Sequence, residues 1–303
     1  MPNLTADAAL MASSNEASSV FARLPQELLA TAAALCLLAA ADHLAIKPFV
    51  TSRIASKKDL GNARWFFVHA VANAFVVVAG LHALFIMLTD PHNALDARIY
   101  HDTSFFGSAS SWPLTFVNAV HVYHMTGGFH LTSADYFHHL LFIPLLGFPG
   151  QVLLWGAVEP AGAVFISGLP GGISYFLLGL HKIGWVEPIV EKRITANLNA
   201  WVRTPGILIT SFCVYQAMLY GRHTLPLWAP FIHVFLPPYN AIFYCKQAVA
   251  NYTVHFLTSL IAQDDTLKAR LLDAEHTLKA PTGLRKDMLV SWREAIAVPQ
   301  RGC

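Results

Sequence analysis

Residues 65–89 read WFFVHAVANAFVVVAGLHALFIMLT, a stretch with no Lys, Arg, Asp or Glu. A helix needs roughly 20 apolar residues to cross the hydrocarbon core of a bilayer, and aqueous helices seldom run that far uncharged. The pattern repeats outward. Residues 103–158 hold one charge, Asp135, and residues 160–181 and 204–221 hold none. Across 303 residues, 55% are hydrophobic and 13% are charged. An average soluble domain carries about 25% charge. The net charge of +2 gives no electrostatic footprint for nucleic acid. Four cysteines spread along the chain make no disulfide scaffold, and no Cys-His zinc spacing is present, so no metal site is expected. The reading is an all-α, polytopic transmembrane bundle.

The candidate spans are about 28–46, 66–88, 113–131, 136–157, 161–181, 206–222 and 239–260, seven in all. Pro226, Pro230, Pro237 and Pro238 read against a continuous helix over 223–238, which is expected to be a loop or re-entrant piece. The chain then divides into a tail (1–27), a transmembrane domain (28–260) and a C-terminal tail (261–303). Lys47, Arg53, Lys57, Lys58 and Arg64 fill one loop, and Lys182, Lys192, Arg193 and Arg203 another. The loops between them hold only Arg98 among acidic residues. Positive loops stay cytosolic, so the expectation is a lumenal or exterior N-terminus and a cytosolic C-terminus. Residues 1–22 lack the basic and continuous apolar parts of a signal peptide. Asn3-Leu4-Thr5 is a glycosylation sequon on the expected lumenal side.

Fifteen histidines are many for such a chain, and an ionisable side chain at membrane depth defaults to a functional hypothesis. The densest group is His121, His124, His130, Asp135, His138 and His139. His121 and His124, three apart, share one helical face. An antiparallel hairpin turning near 131–134 brings His124 and His138–His139 to nearly the same depth. His138 and His139 differ by about 100° around a helix, so one can enter a cavity while the other meets a neighbour. A first helical turn favours neutral imidazole, which can take a proton from an amine or hydroxyl. A histidine in a span can equally be a hydrogen-bonded core residue. His69 and Asn73, one turn apart, and His82 beyond them either line the same interior or bond helix to helix. Gly147-Phe148-Pro149-Gly150 and Gly168-Leu169-Pro170-Gly171-Gly172 can bend helices around a pocket or serve only as packing kinks.

Asp135-Tyr136-Phe137-His138-His139 at a helix start resembles the paired-histidine motif of the TLC-domain family, named for translocation-associated, Lag-type and ceroid-lipofuscinosis proteins. Arg64-Trp65-Phe66 with His69 and Asn73 is similar to that family's early segment, and residues 197–203 to its later loop. The resemblance covers about 30–260 and implies a bundle around a lipid-accessible cavity. It implies membrane lipid as partner, acyl-CoA as co-substrate, no bound cofactor, and His138 and His139 as catalytic residues. His124, His121, Asp135, His69 and Asn73 would line the cavity. It also implies an endoplasmic reticulum membrane. Where ceramide synthases carry an aspartate pair, this chain reads Gly171-Gly172-Ile173-Ser174-Tyr175, which places it nearer the less-characterised branches.

Two readings follow. One is an acyltransferase of lipid metabolism, sphingolipid-type, with a histidine base acting on a lipid amine or hydroxyl. The other is a non-catalytic lipid-binding or membrane-composition protein of the same fold. A di-iron hydroxylase needs about eight convergent histidines, and no clear H-x-x-H-H box is present. A receptor or transporter would fit seven spans but takes no support from the histidine clustering.

Overall fold

The computed structural model describes residues 6–54, 56–131, 133–264 and 266. The sequon at Asn3 and the tail from 267 lie outside the described residues. Among the described residues the chain is all helix, with no strand, in seven helical rods. They are α1 (6–51), α2 (Lys57–Thr89), α3 (Trp112–Thr126), α4 (133–152), α5 (158–182), α6 (188–219) and α7 (Trp228–Gln263). Three stretches are long and apolar enough to cross a membrane: Ala22–Thr51, Asp59–Thr89 and Val158–Lys182. The tail boundary expected at residue 27 falls inside the helix that starts at Ala6.

Four rods contain one widened, π-helical turn each: Asp42–Ile46, Ile143–Gly147, Val164–Gly168 and Asn199–Arg203. Each is followed two residues later by a proline: Pro48, Pro149, Pro170 and Pro205. A proline ring in a helix collides with the carbonyl four residues back. Those carbonyls belong to Leu44, Leu145, Ile166 and Trp201, each at the centre of its π-turn. The widened turn relieves the collision, so the rod continues where a tight α-turn would break.

This corrects two expectations. Residues 182–203 are not a loop: α6 begins at Pro188 and carries Asn199 and Arg203 into the bundle. Nor is 223–238 a loop, because α7 runs from Trp228 through Pro237 and Pro238. Pro230 stands in the first turn, where a missing N–H costs nothing. Pro237 orphans the carbonyl of His233, and the Ser211 hydroxyl from α6 donates to that carbonyl at 3.2 Å. The third span, expected to reach 131, stops at Thr126, where Gly127 and a left-handed Gly128 (φ 78°) turn the chain.

α2 is the hub, packing on α3 and α5; α5 packs on α6, α6 on α7, and α1 lies outside against α3. Small residues set the closest approaches. A side-chain carbon at Gly80 would collide with Val164, and one at Gly206 with the Phe165 ring. Two apolar clusters result: Leu38, Val68, Phe116 and Val120 unite α1–α3, and Met87, Trp155, Val158 and Val214 unite α2, α5 and α6.

Two buried polar networks cross these clusters. Arg64 forks onto Asp42, which is wholly buried, with Nε to Oδ1 at 3.1 Å and Nη2 to Oδ2; the Tyr123 hydroxyl donates to the same carboxylate at 2.8 Å. The Asn118 amide donates to the Gly147 carbonyl and to Gln151, and Gln151 in turn reaches Glu27 and Thr31. The loop between α2 and α3 is tied by Arg98, whose Nε and Nη2 fork onto Asp96 at 2.7 and 2.6 Å. That fork holds the Asp96 carboxyl below the usual range, against the opposing effect of burial. His82 donates from Nδ1 to the Phe106 carbonyl at 2.9 Å, so it anchors this loop.

Candidate functional site

Six rods, α2 to α7, enclose an elongated cavity of about 790 Å³. On α7 its lining runs from His233 to His255, about 33 Å at 1.5 Å per residue. It is therefore comparable in length to a hydrocarbon core of roughly 30 Å. The walls are mainly apolar; Lys192, Thr195, Gln247, Asn251 and His255 add polar groups, and three further polar groups stand at successive levels.

The first level is the histidine cluster. The α3–α4 hairpin sets His139 Nε2 at 3.2 Å from His124 Nδ1. Both rings are almost fully buried, with ring centroids 5.2 Å apart. The His121 ring lies 5.0 Å from His139, and the His69 ring 5.7 Å from His124. Asp135, in the first turn of α4, lines the same end. His138 is in the same helix; its side chain lies outside the described residues.

Hydrogen-bond chemistry separates the roles of these rings. His69 Nε2 faces the Trp65 indole N–H at 3.1 Å, and Nδ1 faces the Trp65 carbonyl at 3.0 Å. An indole nitrogen only donates and a carbonyl only accepts. His69 is thus the neutral Nδ1–H tautomer, locked to its own turn, which positions Trp65. The Trp65 ring then stacks on His124 at 4.0 Å between centroids. His121 Nδ1 donates to the Val117 carbonyl, which puts the lone pair of the neutral ring on Nε2. The His124–His139 contact is a ring-to-ring hydrogen bond across the α3–α4 hairpin.

Asn73 does not line the cavity. It is buried, and its Oδ1 accepts from the Ser167 hydroxyl at 2.7 Å, bonding α2 to α5. The glycine-proline stretches do border the cavity, through Gly147 and Gly171. Their π-turns are what let α4 and α5 continue past the prolines while bowing around it.

The second level is Arg203 with Asn199, on the π-turn of α6. Arg203 Nη1 donates to Asn199 Oδ1 at 2.9 Å, and Nε has no hydrogen-bond partner. The third level, at the far end, pairs α7 with α5. His233 Nδ1 donates to the Ala229 carbonyl at 3.0 Å, and Nε2 lies 3.3 Å from Glu159 Oε2.

Sequence reasoning missed these two levels. Arg203 reads in sequence as one of four cations in a loop over 182–203. Its cue was the i,i+4 spacing from Asn199, which places both side chains on one face. Glu159 stood alone between two spans, and its partner is more than seventy positions away in sequence.

Among the described residues, no group of three or more His, Cys, Asp and Glu is placed to hold a metal ion. No family model, curated protein or solved structure matches the chain.

Proposed function

We propose that this chain is an integral membrane enzyme of lipid metabolism, an acyltransferase in which His139, with His138, supplies the base. One observation carries the reading: the ring-to-ring contact of His139 and His124 at 3.2 Å on the wall of a long, mostly apolar cavity. Such a cavity suits an acyl chain, and a neutral imidazole at its wall suits proton removal from an amine or hydroxyl.

The proposed step balances as follows. The lipid amine or hydroxyl attacks the thioester carbonyl of acyl-CoA. A C–N or C–O bond forms and the C–S bond breaks. The proton leaves the nucleophile for the imidazole and passes to the departing thiolate. The His139–His124 contact lets the proton be shared by two rings, which lowers the cost of holding it in an apolar wall. Lys57, Lys58, Lys182 and Arg193 stand at the histidine end of the bundle. By the positive-inside rule this end faces the cytosol, where acyl-CoA is found, and an endoplasmic reticulum membrane fits that arrangement.

The test is a mass-spectrometric lipid profile. Cells making the wild type are compared with cells making equal amounts of a His138→Ala/His139→Ala double variant. A lipid class that accumulates only with the wild type is the expected result. If both proteins shift lipids alike, or neither does, catalysis by this pair is refuted and a non-catalytic lipid-binding role takes its place.

A further inference from the structure

Three arginines in this fold can be compared edge by edge. Arg64 uses Nε and Nη2 to hold Asp42, and Arg98 uses the same two atoms to hold Asp96. Arg203 differs. Its single hydrogen bond among the described residues runs from Nη1 to Asn199. Nε is buried without a partner, and no described carboxylate lies within ion-pair distance. The ionisable side chains near enough to act on it are Tyr175, Tyr244 and Cys245, none of them a carboxylate.

Its depth makes this costly. A side-chain carbon on Gly171 would stand 2.9 Å from Asn73 Nδ2 and 3.8 Å from Arg203 Nη2. The guanidinium is therefore level with Asn73, the midpoint of the 33-residue α2. That midpoint is about 24 Å from either helix end at 1.5 Å per residue. A cation so placed must face a partner or a water-filled space. Arg203 faces the cavity, flanked there by Asn199, Tyr175 and Tyr244.

We propose that Arg203 is the anchor for the anionic head of an amphiphile held in the cavity, a phosphate or carboxylate oxygen held by the guanidinium where it lines the wall. A guanidinium suits either group, as Arg64 and Arg98 hold carboxylates in the same molecule. The apolar walls on both sides take the chain. The inference shares with the proposed function the view of the cavity as a lipid site, but it needs no catalysis by the histidines.

The experiment is equilibrium binding to the purified full-length protein in detergent micelles, read by native mass spectrometry. The probes are hexadecyl phosphate, palmitate and hexadecanol, which share one chain length. The wild type should bind both anions at least about tenfold more tightly than the alcohol, the weight of one charge-assisted hydrogen bond. Arg203→Gln should erase that preference while leaving hexadecanol binding intact, which also reports that the cavity is still formed. Arg203→Lys should keep part of it. Equal binding of the three probes to the wild type overturns the proposal, and so does a preference that survives in Arg203→Gln. Inorganic phosphate in excess should not displace hexadecyl phosphate. Displacement would assign the arginine to small soluble anions and overturn the amphiphile reading. His139→Ala should keep the anion preference whatever the lipid profile shows, so this inference and the catalytic one fail separately.

Discussion

Arg64 and Arg203 belong to one bundle, and both stand inside it. Around Arg64 the fold supplies everything the cation needs: the Asp42 carboxylate, the Tyr123 hydroxyl and the Phe129 ring, 5.1 Å from the guanidinium carbon. Around Arg203 it supplies one amide oxygen and a cavity. The first arginine joins three helices and is not on the wall of this cavity. The second joins nothing beyond its own turn. A buried charge completed from within acts as structure, whereas one left to be completed from without marks where a ligand belongs.

Breaking the first arrangement should have the largest effect on stability. Removing one member of a buried, hydrogen-bonded pair strands the other, so Asp42→Ala should cost about 3–5 kcal/mol. Chemical unfolding of the purified protein in detergent measures it. An Asp42→Leu/Arg64→Met double variant should recover most of the loss; an equal loss in the double variant would mean that packing, not charge, is at stake.

Next is the carbonyl that Pro237 orphans. Ser211→Ala strips the donor from His233 and should cost about 1–3 kcal/mol, the usual penalty of an unsatisfied buried acceptor. Ser211→Thr, which keeps the hydroxyl, should cost clearly less in the same unfolding assay.

The Asp96–Arg98 fork matters less, because Arg98 is largely exposed and water screens the pair. Exposed pairs contribute about 0.2–1 kcal/mol. The folded-state carboxyl lies below its ordinary value of 3.8, so the contribution is present above that value. It fades as pH falls through the lower, folded value. Thermal unfolding of wild type and Asp96→Asn should therefore differ at pH 7 and converge toward pH 3.

Smallest of all should be the effect of Arg203→Gln on stability: within about 1 kcal/mol of wild type, and as readily a gain as a loss, because it removes a desolvated charge without stranding another. A loss as large as that of Asp42→Ala would erase the distinction between the two arginines.

Much of this architecture was legible in the sequence for a plain reason. The bilayer makes charge expensive, so the charge-free runs 65–89 and 160–181 announce membrane helices. The α3–α4 hairpin was equally readable, since its turn residues and the helical rise alone bring His124 level with His139. Legibility ended where one helix repairs another. Pro237 and Pro238 read as a break because nothing nearby compensates them; the compensating hydroxyl is Ser211, on α6. Residues 182–203 read as a loop because of their four cations, and a proline beyond a π-turn and a proline at a first turn look alike in one dimension. That misreading also hid Arg203, by assigning it to a loop. Asn73 and His69 share a helix face, yet only His69 borders the cavity, a difference decided by where Ser167 sits on the opposing rod.

The π-turn of Asn199–Arg203 has a consequence for how this protein can vary over evolutionary time. A π-turn amounts to one residue more than an α-turn needs, a lodged insertion that rotates everything before it by about 100° relative to everything after. Losing any one of those five residues, with Pro205 replaced, would restore a regular helix and swing Lys192 and Thr195 off the cavity wall. Single-residue gaps in aligned sequences should therefore avoid this turn in chains that keep an arginine at its end.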